Sequence, residues 1–196
     1  KIKATLRRFL SIALAALILA GCAGAAFADG SDASGTLNGV NWMYTAADKT
    51  LVLSGSGTLG DGERESNLFG ASWSANHVKI GPDVNIKQGW VFDNFDFVEA
   101  YEVDADNKYL CNPDGVLMSK DKTVLIKYPA GSKEFSFYTV PDTVKTISYG
   151  AFEFSSALKT VFLNDGLETI DTFAFFNCNN LLYITVPGTV TSMGRG

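Results

Sequence analysis

One histidine, His77, is all the chain offers to histidine chemistry. A lone imidazole completes neither a nucleophilic triad nor a zinc centre, since both need several converging partners. The segment "DADNK" opens like a calcium loop, with Asp104 and Asp106 followed by Asn107. Such a loop needs Asp or Asn at its fifth place, and Lys108 stands there. The segment therefore reads as a solvated turn, a common setting for Asp and Asn. Paired carboxylates for glycoside chemistry are set by space rather than spacing, and nothing singles out a pair. The glycines of "SGSGTLGDG" lie between a strand and a loop rather than before a helix, so they do not read as a phosphate cradle. No catalytic, metal or cofactor site is expected, and the chain does not read as an enzyme. What remains is a set of outward residues in two columns. Ala100, Phe137, Thr160 and Tyr183 form one, and Glu102, Thr139, Phe162 and Thr185 form the next. Exposed aromatics of this kind suit a binding patch. The alternative is that they cover one another or a neighbouring coil, because scattered surface apolars are ordinary.

Those columns presuppose a repeat. "GAFEFSSALKTVFLNDGLETI" (residues 150–170) follows neither a 3.6 nor a 2.0 period throughout. Slid forward by 23, it matches itself: Val144 falls on Leu167 and Val190, and Ile147 on Ile170 and Met193. Ala151 meets Ala174, Phe152 meets Phe175, Leu158 meets Leu181, Val161 meets Ile184, and Leu163 meets Val186. The unit is V-x-x-I-x-x-x-A-F-x-x-x-x-x-L-x-x-V-x-L. Ile80, Val84, Phe92, Val98, Tyr101 and Val103 keep the same spacings with less fidelity. Between Val103 and Val140 the step is 37, the period plus 14. The surplus falls where "GVLMS" and "TVLIKY" flank Lys120-Asp121-Lys122, which reads as an inserted β-hairpin.

A period of 23 with L-x-x-V-x-L lies in the leucine-rich range. The expected fold is a β-rich solenoid, each coil one short strand plus a return arm. A single coil cannot bury its apolar face, so neighbours stack and share a core. Alternation along the strand turns Leu158, Val161 and Leu163 inward and Thr160 and Phe162 outward, onto a concave face. "YGAFEFSS" is the return arm, with Phe152 filling the layer between coils. At the other end, "GVNWMYTAADKTLVLSGSGTL" reads as a strand (Val40–Thr45), a turn (Ala46–Lys49) and a second strand (Thr50–Ser54) that cap the stack.

The first residues belong to targeting. "KIKATLRRFLSIALAALILAGCAGAAFA" carries four basic residues, then an uncharged apolar run from Phe9 to Ala20, the layout of an export signal. A membrane-spanning anchor is the alternative, although the run is short for a span. "LAGC" (Leu19–Cys22) resembles the bacterial lipobox, whose cysteine is lipidated. "AFA" before Asp29 fits ordinary signal cleavage instead. The domain reading is signal at 1–28 with the lipobox ending at Cys22, linker at 29–37, β cap and loop at 38–75, and repeats at 76–196. Removal of the signal takes four of the 16 basic residues and none of the 21 acidic ones, leaving a net charge of −9. An acidic surface argues against nucleic acid and against charge-driven binding to anionic lipid, so membrane attachment falls to an acyl chain. Cys111 and Cys178 are too few for a disulfide scaffold, and Cys178 reads as a small buried hydrophobe. At 46% hydrophobic and 19% charged the chain is too apolar for disorder. It starts without Met and stops before its last coil gains an "AF" arm, which predicts a fragment of a longer reading frame with a frayed last coil.

The residues "VPDTVKTISYGAFEFSSALKTVFLNDGLETIDTFAFFNCNNLLYITVPGTV" closely resemble the bacterial surface leucine-rich repeats often called BspA-like. Pro141, Val144, Ile147, Ala151, Phe152, Leu158 and Val161 match that unit, as do Ala174, Phe175, Cys178, Leu181, Ile184 and Pro187. The family cysteine is Ser155 in the first copy, and the family proline is Asn164 in the second. The inserted hairpin and the N-terminal segment also resemble parts common in the family. The resemblance implies a secreted or surface-attached protein, several members of the family being thought to bind host or bacterial proteins. Taken with the lipobox and the outward columns, the expectation is a lipid-anchored surface protein that binds an extracellular protein or glycan through its strand face. A structural spacer displaying another module is the alternative.

Overall fold

A computed structural model describes residues 32–62, 74–93, 95–133 and 136–196. The N-terminal part builds one sheet from β1 (Ala33–Leu37), β2 (Val40–Thr45) and β3 (Thr50–Leu59), each antiparallel to the next. The β2–β3 hairpin is the predicted cap, but β3 runs on to Leu59, and β1 occupies part of the segment read as linker. The first half of β3 pairs in parallel with β4 (His77–Ile80), and its second half with β5 (Asp83–Ile86). One long cap strand thus pairs with both strands of the first coil. A short 3-10 turn, Gly89–Phe92, leads on to β6 (Ala100–Val103), which pairs with β4.

Next comes the insert: β7 (Leu110–Cys111), β8 (Leu117–Ser119) and β9 (Val124–Lys127), joined antiparallel. The predicted hairpin is present, yet it is more than an appendage. Its β9 pairs in parallel with β11 (Thr146–Ile147), so the hairpin is a full member of the stack. Beyond it, β10 (Phe137–Thr139), β12 (Thr160–Phe162) and β14 (Tyr183–Thr185) form one parallel sheet. On another side, β13 (Thr169–Ile170) and β15 (Ser192–Met193) continue from β11, each stepping 23 residues. Each full coil therefore carries two short strands rather than the one expected. The missed strand is only two residues long, too short for alternation to show; its apolar member is buried at Ile147 and Ile170 and exposed at Met193 in the last coil.

The return arms form a third side, tied by the backbone N–H groups of Gly150, Phe152 and Phe154, which donate to Thr172, Ala174 and Phe176 O at 3.1, 2.7 and 3.0 Å. The next side chains inward explain the stack. Tyr128, Phe152 and Phe175 lie ring over ring at centroid distances of 5.3 and 4.9 Å, the second pair nearly coplanar at 8°.

Two hydrophobic cores result. One gathers the cap and first coils around Leu51, Leu53, Ile80, Phe92 and Tyr101, and the other the later coils around Val140, Ile147, Phe152, Leu158 and Val161. The inserted hairpin serves both. Leu117 and Ile126 enter the first core, while Met118 and Leu125 enter the second, because successive strand residues face opposite sides.

Buried asparagines hold adjacent coils. Asn164 Nδ2 donates to Pro141 O and Val144 O of the preceding coil at 2.9 and 3.1 Å, and its Oδ1 accepts from Gly166 N. Its departure from proline is thus a cross-coil clamp, and these hydrogen bonds offset the cost of burying the amide. Asn107 does the same with Gly81 O and Val84 O, its Oδ1 accepting from Tyr109 N and Leu110 N. The "DADNK" reading is corrected there: Asp104 and Asp106 are exposed, but Asn107 is buried structure rather than solvated turn. At the last coil the inward positions open up. Val161 is 1% exposed, whereas Ile184, one period on, is 37% exposed.

Candidate interaction face

The face is built by register. Parallel pairing sets Phe137 beside Thr160 and Thr160 beside Tyr183, and likewise Thr139 beside Phe162 and Phe162 beside Thr185. The residues between them, Tyr138 and Val161, turn into the second core. Six of the eight predicted residues therefore share one surface in the predicted columns. Their rings are open: Phe137 is 56%, Phe162 54% and Tyr183 71% exposed. That exposure disfavours the reading in which the rings cover one another. Aromatic and threonine alternate in both columns, so every ring has a hydroxyl beside it on the next strand. A shallow depression of about 140 Å³ lies here, lined by Thr160, Phe162, Asp165, Tyr183, Thr185 and Pro187. Apolar rings with hydroxyls and a carboxylate at the edge can bury area and fix orientation.

Ala100 and Glu102 are not brought to this surface. They sit on β6, opposite His77 and Lys79 of β4, in the N-terminal sheet. The insert is the physical reason. Its 3-10 turn, Pro113–Gly115, lies over Ala100, a Cβ added at Gly115 falling 3.1 Å from Ala100 Cβ. Asn112 Nδ2 also takes the Tyr101 carbonyl at 2.8 Å, and Gly131 N takes that of Val98 at the same distance. The edge that β10 would need is thus occupied. Glu102 pairs instead with Lys79 at 3.6 Å, an exposed ion pair of little energetic weight.

Other chemistry-bearing residues are structural. His77 is half-buried between Thr50 and Ala100 in the sheet. Among the described residues no three His, Cys, Asp or Glu side chains gather as a metal would require, and no helix is long and apolar enough to cross a membrane. Cys22 and the whole signal reading lie outside the described residues. Cys111 and Cys178 are both free thiols rather than a pair. Cys178 Sγ donates to Phe152 O at 3.0 Å, and burial pushes its thiol up to about 11.

Sequence reasoning missed one polar centre. Lys127 and Glu153 are buried at the joint between the two cores, Nζ to Oε2 3.9 Å, and Nζ donates to Gly150 O at 2.7 Å. Burial pushes the Lys127 ammonium down from its ordinary range, against the pull of the Glu153, Asp93 and Asp96 carboxylates. Beside it, Gly89 N donates to Ser148 Oγ, which donates to Gln88 Oε1. The only sequence trace was a charged residue at the end of the apolar run "VLIK" and another inside "AFEF".

Fold and face together define a leucine-rich-repeat β-solenoid that presents one open strand surface. Residues 130–196 match the family described as "BspA type Leucine rich repeat region (6 copies)", so these coils are repeats of that type, as their resemblance implied. Two solved structures are similar. The pneumococcal vaccine antigen PcpA is 27% identical with a TM-score of 0.57, the match covering 61% of this chain and 35% of that one. A leucine-rich repeat protein from Eubacterium ventriosum is 20% identical with a TM-score of 0.59, covering 84% of this chain and 68% of that one. The chain thus spans about a third of the PcpA chain. No curated protein matches by sequence.

Proposed function

We propose that this protein is exported, held at the cell surface by a lipid on Cys22, and binds an extracellular protein or glycan through the face formed by β10, β12 and β14. The observation that carries the reading is the set of three open aromatic side chains, Phe137, Phe162 and Tyr183, fixed in register on parallel strands. Large aromatic side chains held exposed on a sheet surface are the usual anchors of an interface. Thr139, Thr160 and Thr185 supply the polar contacts between the rings. Its repeats of the BspA type and its likeness to a vaccine antigen support a surface location. No cofactor enters this reading.

The test is capture of partners from host or bacterial surface extracts by immobilised protein. Replacing Phe137, Phe162 and Tyr183 together by Ser is expected to abolish capture while leaving the thermal transition nearly unchanged, because all three lie outside the core. Capture that survives the triple substitution sinks the assignment of the face. For the anchor, Cys22→Ser is expected to move the protein from the membrane fraction to the medium. Retention of the variant in membranes would point to the apolar run acting as a span.

A further inference from the structure

The depression on the strand face has a lining that selects its occupant. Its room of about 140 Å³ falls below the roughly 300–1,000 Å³ of sites that enclose a small molecule, and suits one anchoring side chain. Phe162 and Tyr183 wall it from adjacent strands, both rings exposed. Thr160 lies beside Tyr183 and Thr185 beside Phe162, so hydroxyls alternate with the rings. Asp165, just past β12, lines the same space.

Asp165 brings a charge that the protein itself leaves unmet. The residue is exposed, and among the described residues its carboxylate takes part in no ion pair. Glu168, three residues on, is by contrast paired with Lys145 at 3.4 Å. Lys159, the cation of this coil, precedes β12 whereas Asp165 follows it, so the strand holds the two apart. A neutral group filling the depression would strip water from the carboxylate and give it no countercharge, which costs free energy. A cation offsets that cost. The chain's net charge of −5 acts in the same direction, favouring basic partners.

The walls discriminate between the two long cationic side chains. An ammonium is compact and strongly hydrated, whereas a guanidinium is flat, weakly hydrated and lies against aromatic faces. Its five N–H donors suit acceptors on several sides, here the Asp165 carboxylate and the Thr160 and Thr185 hydroxyls. Arginine is also among the residues that concentrate binding energy at the centres of interfaces. Resting on the reading that partners dock on this face, we infer that the partner is a protein and that it seats an arginine side chain in the depression between Phe162, Tyr183 and Asp165.

The experiment adds the peptide acetyl-Gly-Gly-Arg-Gly-Gly-amide to the full chain and follows backbone amide shifts by NMR, beside the same peptide with lysine or citrulline. Saturable binding of the arginine peptide is expected, with the largest shifts at Thr160, Phe162 and Thr185. The lysine peptide should bind a few-fold more weakly, and citrulline, which keeps the shape and loses the charge, should not saturate. Asp165→Asn should weaken arginine binding by roughly tenfold or more. Asp142→Asn, at the same register one coil back and outside the depression, should leave it unchanged. Absence of saturable binding overturns the inference, as does equal loss in the two variants, which would tie affinity to net charge alone. Capture from surface extracts separates this inference from the face itself. Capping the extract's guanidinium groups with phenylglyoxal should abolish capture by wild type, and periodate oxidation of its glycans should leave capture intact. Capture that resists phenylglyoxal and Asp165→Asn, or is lost to periodate, yet disappears in the triple Ser variant overturns the arginine and leaves the face standing. Capture that survives the triple substitution removes both.

Discussion

Phe152→Ala is expected to destabilise the protein by about 3–5 kcal/mol, the range for truncating a fully buried aromatic where the site cannot collapse. The side chain is fully buried, stacked between Tyr128 and Phe175, with Tyr138 against it at 5.9 Å. Its ring joins three successive layers, so the hole severs coil from coil rather than thinning one coil. Stability in a solenoid is held in such nearest-neighbour interfaces. The informative comparison is Phe162→Ala, ten residues along the same repeat. That ring lies outside the core, and its loss is expected to fall within about 0.5 kcal/mol of neutral. Urea melts of the two variants check both values. Similar losses for both would mean that the inward and outward assignment of the repeat is wrong.

Lys127→Met is expected to cost about 3–5 kcal/mol, because it strands the Glu153 carboxylate in the protein interior. Replacing both, Lys127→Met with Glu153→Leu, should recover most of that loss, since two well-packed apolar groups need no mutual neutralisation. A double variant no more stable than the single one would rule out the stranded charge as the cause. The pH dependence has a definite sign. Burial lowers the Lys127 pKa in the folded state, so between that lowered value and 10.5 the unfolded chain binds the extra proton. Stability from this group therefore rises with pH through that window, and the full cost of burying the ammonium is felt below it. Cys178 acts oppositely. Its thiol stays protonated up to about 11 when folded but ionises near 9.0 when unfolded, so its contribution is present below 9.0 and lost as pH climbs past that value toward 11. In wild type the two trends oppose each other. In Lys127→Met the rise assigned to the lysine should vanish while the alkaline loss persists, which melts between neutral pH and about 11 would show.

The parts legible in sequence are those that repeat. The 23-residue period placed Val161 inside and Phe162 outside because one apolar position in each coil must meet the same position in the next, and hydrophobicity records that demand. It failed wherever an interaction was made once. Nothing in "GVLMSKDKTVLIKY" states that one face of the hairpin feeds one core and the other face the second, because both faces are equally apolar. Extending the outward columns back to Ala100 and Glu102 assumed an unbroken face, and only the fold shows the insert sealing the β6 edge. Asn107 reads as a turn residue because a buried clamp and a solvated turn use the same side chain, and nothing at Asn164 marks it as a clamp. The left-handed backbone of Phe154 and Phe173 has no compositional signature either.

The central claim is that partners dock on the face made by β10, β12 and β14. The most direct measurement places a photo-crosslinking phenylalanine analogue singly at Phe162 and, separately, at Phe97 and Tyr109, which are exposed aromatics outside that face. On cells or surface extracts that supply the partner, the analogue at Phe162 is predicted to give a discrete crosslinked species that competes away with unlabelled wild type, and the other two positions none. Crosslinks formed from Phe97 or Tyr109 but not from Phe162 would contradict the account.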